Sequence, residues 1–134
     1  MAAELLKPTL YSQDGSTADP MHPAVLGGEC ACGYVFFPMQ NFGCERCGRT
    51  DMKSRALTGR GKLIASARVH LHAGKHRTAP FTVGSIRLED GPIVRTLLIE
   101  DDRPFHPGDA VVTSLIEVRD AEGDTKRDLR FVRA

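Results

Sequence analysis

No run of apolar residues in this chain approaches the roughly 20 needed to cross a bilayer. The opening residues, MAAELLKPTLYSQDGSTADP, lack the basic start and long apolar region of a secretory signal. The expectation is a cytoplasmic protein. Charge of one sign is not in excess either: Lys and Arg number 18, Asp and Glu 17, for a net charge of +1. A general nucleic-acid binder usually carries a clear basic surplus, so the balance argues mildly against that role. A Gly-x-Ser-x-Gly motif is missing, and so is a glycine-rich phosphate loop. No internal repeat or low-complexity tract is present. Cysteine is scarce, with four in 134 residues, and all four fall between positions 30 and 47.

The remaining composition is that of a globular chain, 41% hydrophobic and 26% charged. Its thiols are Cys30, Cys32, Cys44 and Cys47: C-x-C, eleven residues, then C-x-x-C. In a reducing compartment such clusters more often bind metal than form disulfides. Zinc suits the pattern, because paired cysteines on tight turns present two sulfurs at once to a tetrahedral ion. Each second cysteine precedes a glycine, Gly33 or Gly48, which tolerates positive φ and lets backbone amides turn toward a thiolate. Four thiolates leave no coordination position open, so a structural site is expected rather than a catalytic one. Two disulfides, or four free buried thiols, are the plainer alternative. The C-x-C pair also puts Glu29 where a first ligand would normally sit. Between the pairs, YVFFPMQNF reads as a short hairpin arm whose Phe36, Phe37 and Phe42 pack over the site or anchor a partner.

From Lys62 the pattern has period two: Leu63, Ala65, Ala67, Val69 and Leu71 alternate with largely polar neighbours. Further strands are expected over 81–88, 93–100, 110–118 and 128–132, separated by EDGP, RPFHPGD and DAEGD. Gly84 marks a bulge or sharp bend. The predicted architecture is mainly β. It comprises an N-terminal arm over 1–26 in which AAELLK starts a short helix, a rubredoxin-like zinc ribbon over 27–50, and a five-stranded OB-fold barrel with its connector over 51–134. The arm is either loose or ordered against a partner.

The order of these parts resembles a known family. LGGECACGYVFFP, CERCG, LTGRGKLIASARVH, APFTVGSIRLEDG and FHPGDAVV are similar to segments of zinc-ribbon plus OB-fold proteins, catalogued as a domain of unknown function, that accompany acyl-CoA enzymes. The resemblance covers about residues 24–134, and Cys30 shifts the family's first metal ligand by one position. It implies an accessory subunit of a heteromeric thiolase or related acyl-CoA enzyme, with the catalytic cysteine and histidines on the larger chain. Among such proteins it is similar to small subunits of thiolases of the 2-benzoylsuccinyl-CoA type, from anaerobic aromatic degradation. With every cysteine assigned to zinc, no nucleophile is left for this chain to act alone.

Histidines are the remaining candidates. His70, His72 and His76 form either a second metal site or a solvated face. The loop 70–81 concentrates Lys75, His76 and Arg77, which are expected to hold coenzyme A phosphates by charge, against an exposed-loop alternative. Two other functions compete. One is a nucleic-acid-binding ribbon/OB module, for which the barrel offers only Phe81, Phe105 and Phe131 as stacking platforms. The other is a stand-alone acyl-CoA-binding protein.

Overall fold

The structure is a computed structural model and describes residues 3–70 and 80–134. Among these residues all regular structure is strand, in two sheets that share one core. No helix there is long and apolar enough to cross a membrane.

The smaller sheet is built on β2 (Ala24–Cys30). It pairs antiparallel with β1 (Tyr11–Ser12), β3 (Val35–Phe36) and β4 (Met52–Leu57). Buried residues lie along β2 on both faces, with Ala24, Val25 and Cys30 all at 2% exposure or less. Two glycines make close pairing possible: a side chain at Gly28 would meet the Phe36 ring and Met39 Sδ at 2.5 Å, and one at Gly27 would strike the Phe36 carbonyl.

The larger sheet closes into a barrel. Its strands are β5 (Arg60–Val69), β6 (Phe81–Leu88), β7 (Ile93–Leu98), β8 (Ala110–Arg119) and β9 (Thr125–Arg133), in the order β5-β6-β7-β9-β8. This is the predicted five-stranded OB-type barrel. Only the β7/β9 contact is parallel, and it has a single register pair, Leu98 with Phe131. Leu63, Ile86, Leu88, Val111 and Phe131 fill the interior, and Tyr11, Val25 and Leu57 of the smaller sheet join the same cluster. Two residues connect the sheets. Thr58 is 1% exposed, and Gly59 sits where a side chain would clash with Thr113 Oγ1 and the Pro23 carbonyl.

Three expectations are corrected. The AAELLK segment starts no helix among the described residues. Instead Leu5 forms a parallel bridge to Arg127, Leu6 N–H donates to the Arg127 carbonyl at 2.8 Å, and Arg127 N–H donates to the Glu4 carbonyl at 2.8 Å. A helix of one or two turns is marginal in water, and docking along β9 satisfies the same backbone groups with partners that are already ordered. In β5 the inward alternation stops after Leu63. A register shift between Leu63 and Ala65 changes the face presented, and Ala65 and Ala67 end up exposed. Gly84 is not itself the irregularity, which lies across the ladder on β5. It is a point of tight packing, where a side chain would meet Leu98 Cδ1 at 2.9 Å and Leu63 Cδ1 at 3.0 Å.

The arm is ordered against its own chain. Asp19, 5% exposed, accepts from Arg60 Nε at 2.9 Å and lies 2.8 Å from His22 Nδ1. Tyr11 donates its hydroxyl to Asp128 Oδ1 at 2.7 Å.

Candidate metal centre

Two tight turns bring the thiols together. At the first, Gly33 N–H donates to the Cys30 carbonyl at 2.8 Å, and Gly33 has φ 95°. At the second, Gly48 N–H donates to the Cys44 carbonyl at 2.8 Å, with φ 79° at Gly48. Both glycines occupy the left-handed conformation that their position after a cysteine foreshadows. Cys30 ends β2 and points to the opposite face from Glu29, as successive strand residues must. Glu29 accordingly takes no part in the cluster; its carboxylate pairs with Arg55 at 3.1 Å.

The four Sγ atoms lie within 4.8 Å of one another. Cys30 and Cys47 are 3.5 Å apart, and Cys32 and Cys44 are 3.7 Å apart. These separations far exceed a disulfide bond of about 2.05 Å. They match the edge of about 3.8 Å that four sulfurs at about 2.3 Å from one ion would define. Four soft donors, two of them buried, are therefore positioned to hold a metal ion such as zinc.

The thiols differ electrostatically. The Tyr34 backbone amide lowers Cys32 most; burial opposes it, and the Arg46 guanidinium helps bring the thiol down to about 6. At Cys30 the Cys32 backbone amide acts to lower the pKa, but burial and the neighbouring thiols push it up to about 12. Burial works to raise Cys44, yet the amides of Cys47 and Arg46 hold it below the usual thiol range. A divalent cation binds thiolates, so it would displace the protons that the cluster holds.

Arg46 is a residue that the sequence reading missed. Its Nη2 donates to the Cys32 carbonyl at 2.6 Å and approaches Cys32 Sγ at 3.5 Å, while its guanidinium lies 5.6 Å from the Tyr34 ring centre. A cation inside Cys-Glu-Arg-Cys was the available signal: it offsets thiolate charge.

No protein-family model matches the chain. A curated relative, the DUF35 domain-containing scaffold protein of Methanocaldococcus jannaschii, is 29% identical over 79 residues, which is 57% of this chain and 55% of the relative. A solved structure named the Ltp2-ChsH2(DUF35) aldolase superposes with a TM-score of 0.64 at 23% identity, covering 80% of this chain and 84% of that one. Both similar proteins carry the DUF35 label, the first likeness being one of sequence and the second one of fold. The chain spans about half the length of that DUF35 scaffold protein, and the likeness to the DUF35 aldolase structure concerns the fold.

The other predicted residues separate. Phe36 is 6% exposed and stacks on Tyr34, with ring centres 6.0 Å apart. Phe37 is partly buried against the shared core. Phe42 is 95% exposed at the ribbon tip. The three aromatics therefore do not form one surface. His70 is exposed. His72, Lys75, His76 and Arg77 lie outside the described residues.

Proposed function

We propose that this chain is a non-catalytic accessory subunit of an acyl-CoA enzyme, docked through its ribbon on a larger catalytic chain, with a thiolase as the partner class. The observation that carries the reading is the convergence of all four thiols in one lobe. Cys30, Cys32, Cys44 and Cys47 would hold one structural zinc, whose contribution is to fix the fold of the ribbon. No cysteine then remains as a thiolase nucleophile, so the chemistry falls to a partner. The named scaffold role of the M. jannaschii relative and the aldolase complex of the structural neighbour support the same reading. A reducing cytoplasm is the compartment that keeps such thiols available.

On this reading Phe42 is the exposed docking anchor, and Phe36 and Phe37 hold the tip behind it. Lys75, His76 and Arg77 reach the phosphates of the coenzyme A thioester. The test is capture from the native host with the tagged full chain, with mass identification of what is retained and zinc analysis of the complex. A catalytic chain of thiolase type and one zinc per copy are expected; metal-free, fully folded protein that retains no acyl-CoA enzyme would refute the reading. In the reconstituted complex, Lys75→Ala with Arg77→Ala raises KM for acyl-CoA several-fold while kcat holds. An unchanged KM removes the loop from the ligand.

A further inference from the structure

Beyond their one register pair, β7 and β9 are joined by a hydrogen bond from Ile99 N–H to the Phe131 carbonyl at 2.9 Å. Toward their N-terminal ends the two strands part, and a cavity of about 270 Å³ lies against residues 94–97 of one and 128–131 of the other. At its far end the arm reaches β9 through the Leu5 bridge to Arg127. Phe37, Val83 and Leu97 give the cavity an apolar lining, and Lys7, Arg95 and Arg130 bring three cations to it.

Those cations are poorly matched by anions. Asp128 is the one carboxylate of the lining, and it already accepts from Tyr11 at 2.7 Å and is paired with Arg130. Arg130 directs only Nη1 to protein acceptors, Asp128 and the Leu129 carbonyl, among the described residues. Its side chain is 14% exposed, and its remaining N–H groups are not buried, so they stay open to a ligand entering the cavity. Arg95 and the Lys7 ammonium have no acidic partner among the described residues. A surplus of guanidinium donors over an apolar slot selects a ligand with one anionic end and an oily body. A guanidinium fork matches a carboxylate in two-point geometry. The volume, just below the roughly 300–1,000 Å³ of sites for drug-sized ligands, limits the body to a short one.

We propose that the slot at the β7/β9 seam binds a small aryl- or alkyl-carboxylate, with Arg95 and Arg130 on its carboxylate and Phe37 and Leu97 against its body. This inference stands independently of docking through the ribbon. The test is a backbone-amide NMR titration of the full chain with 4-phenylbutyrate, alongside its neutral analogue 4-phenylbutanol and the variant Arg95→Gln. Arg95 is exposed and has no ion-pair partner among the described residues, so the variant keeps the native fold. Saturable shifts confined to 94–97 and 128–131 are expected, with half-saturation about tenfold higher for the alcohol and for Arg95→Gln. The proposal is overturned by absence of saturation, by shifts centred elsewhere, or by equal affinity in Arg95→Gln. It is also overturned if an acidic peptide shifts these amides while phenylbutyrate does not.

Discussion

Tyr11 shows how much one side chain can settle. Its hydroxyl reaches Asp128, 117 positions away, and accepts from the Lys7 amide at 3.1 Å, so arm and barrel meet on one oxygen. Burial, followed by the hydrogen bond to Asp128 and its charge, pushes the phenol up to about 12. A folded-state pKa above the unfolded one means the protonated form is favoured by folding. The associated stability is complete below pH 10 and drains away as pH rises to about 12. Tyr11→Phe is expected to cost about 1–2 kcal/mol at neutral pH, with the gap from wild type narrowing across that alkaline window. Urea denaturation at several pH values measures both effects. Phe42 is the opposite case, a large side chain left in water. Phe42→Asp should shift stability by no more than about 0.5 kcal/mol, and on the docking reading it should abolish capture of the partner. Retained capture would place the dock elsewhere. The convergence of the four cysteines could be read directly from the sequence because its pieces are local turns. The fates of Phe36 and Phe42 could not, since burial at 36 depends on the hollow left by Gly28 on a neighbouring strand.

At the scale of elements, the strands were legible wherever one face is buried and one is wet. β5 departs from its pattern where the register shift intervenes, and nothing in GKLIASARV announces a bulge. Alanine is also too small to reveal which face it takes. The arm was misread for a different reason: Glu-Leu-Leu-Lys has good helix propensity, and propensity yields when an ordered strand offers pairing. Two glycines give a graded test of packing within these elements. A methyl at Gly84 presses on the movable ends of Leu98 and Leu63, and is expected to cost about 1–2 kcal/mol. A methyl at Gly59 meets the Pro23 carbonyl oxygen at 2.5 Å, and backbone cannot swing aside. Gly59→Ala should therefore be the worse of the two, at about 3 kcal/mol or more. Thermal denaturation of the pair checks the order; a milder Gly59→Ala would mean that the junction has slack.

For the molecule as a whole, the two sheets differ in what sustains them. Tyr11, Val25 and Leu57 fasten the base of the small sheet to the barrel core, whereas residues 31–51 hold few buried apolar side chains beyond Phe36 and Cys44. On the zinc reading, a strong chelator should release amide protection across 31–51 by orders of magnitude while β6, β8 and β9 stay protected. Hydrogen exchange read by mass spectrometry distinguishes this from collapse of the whole chain, which would show that the barrel depends on the ion. The connection between the sheets has a further consequence. Only Thr58 and Gly59 separate β4 from β5; Thr113 N–H donates to the Gly59 carbonyl at 2.8 Å, and Arg55 reaches across to Asp90 at 3.2 Å. A joint so short and so braced has no play in it. Anything that grips the tip also sets the bearing of the barrel, so on the docking reading the mouth of the β7/β9 slot would face a fixed compass point on the partner.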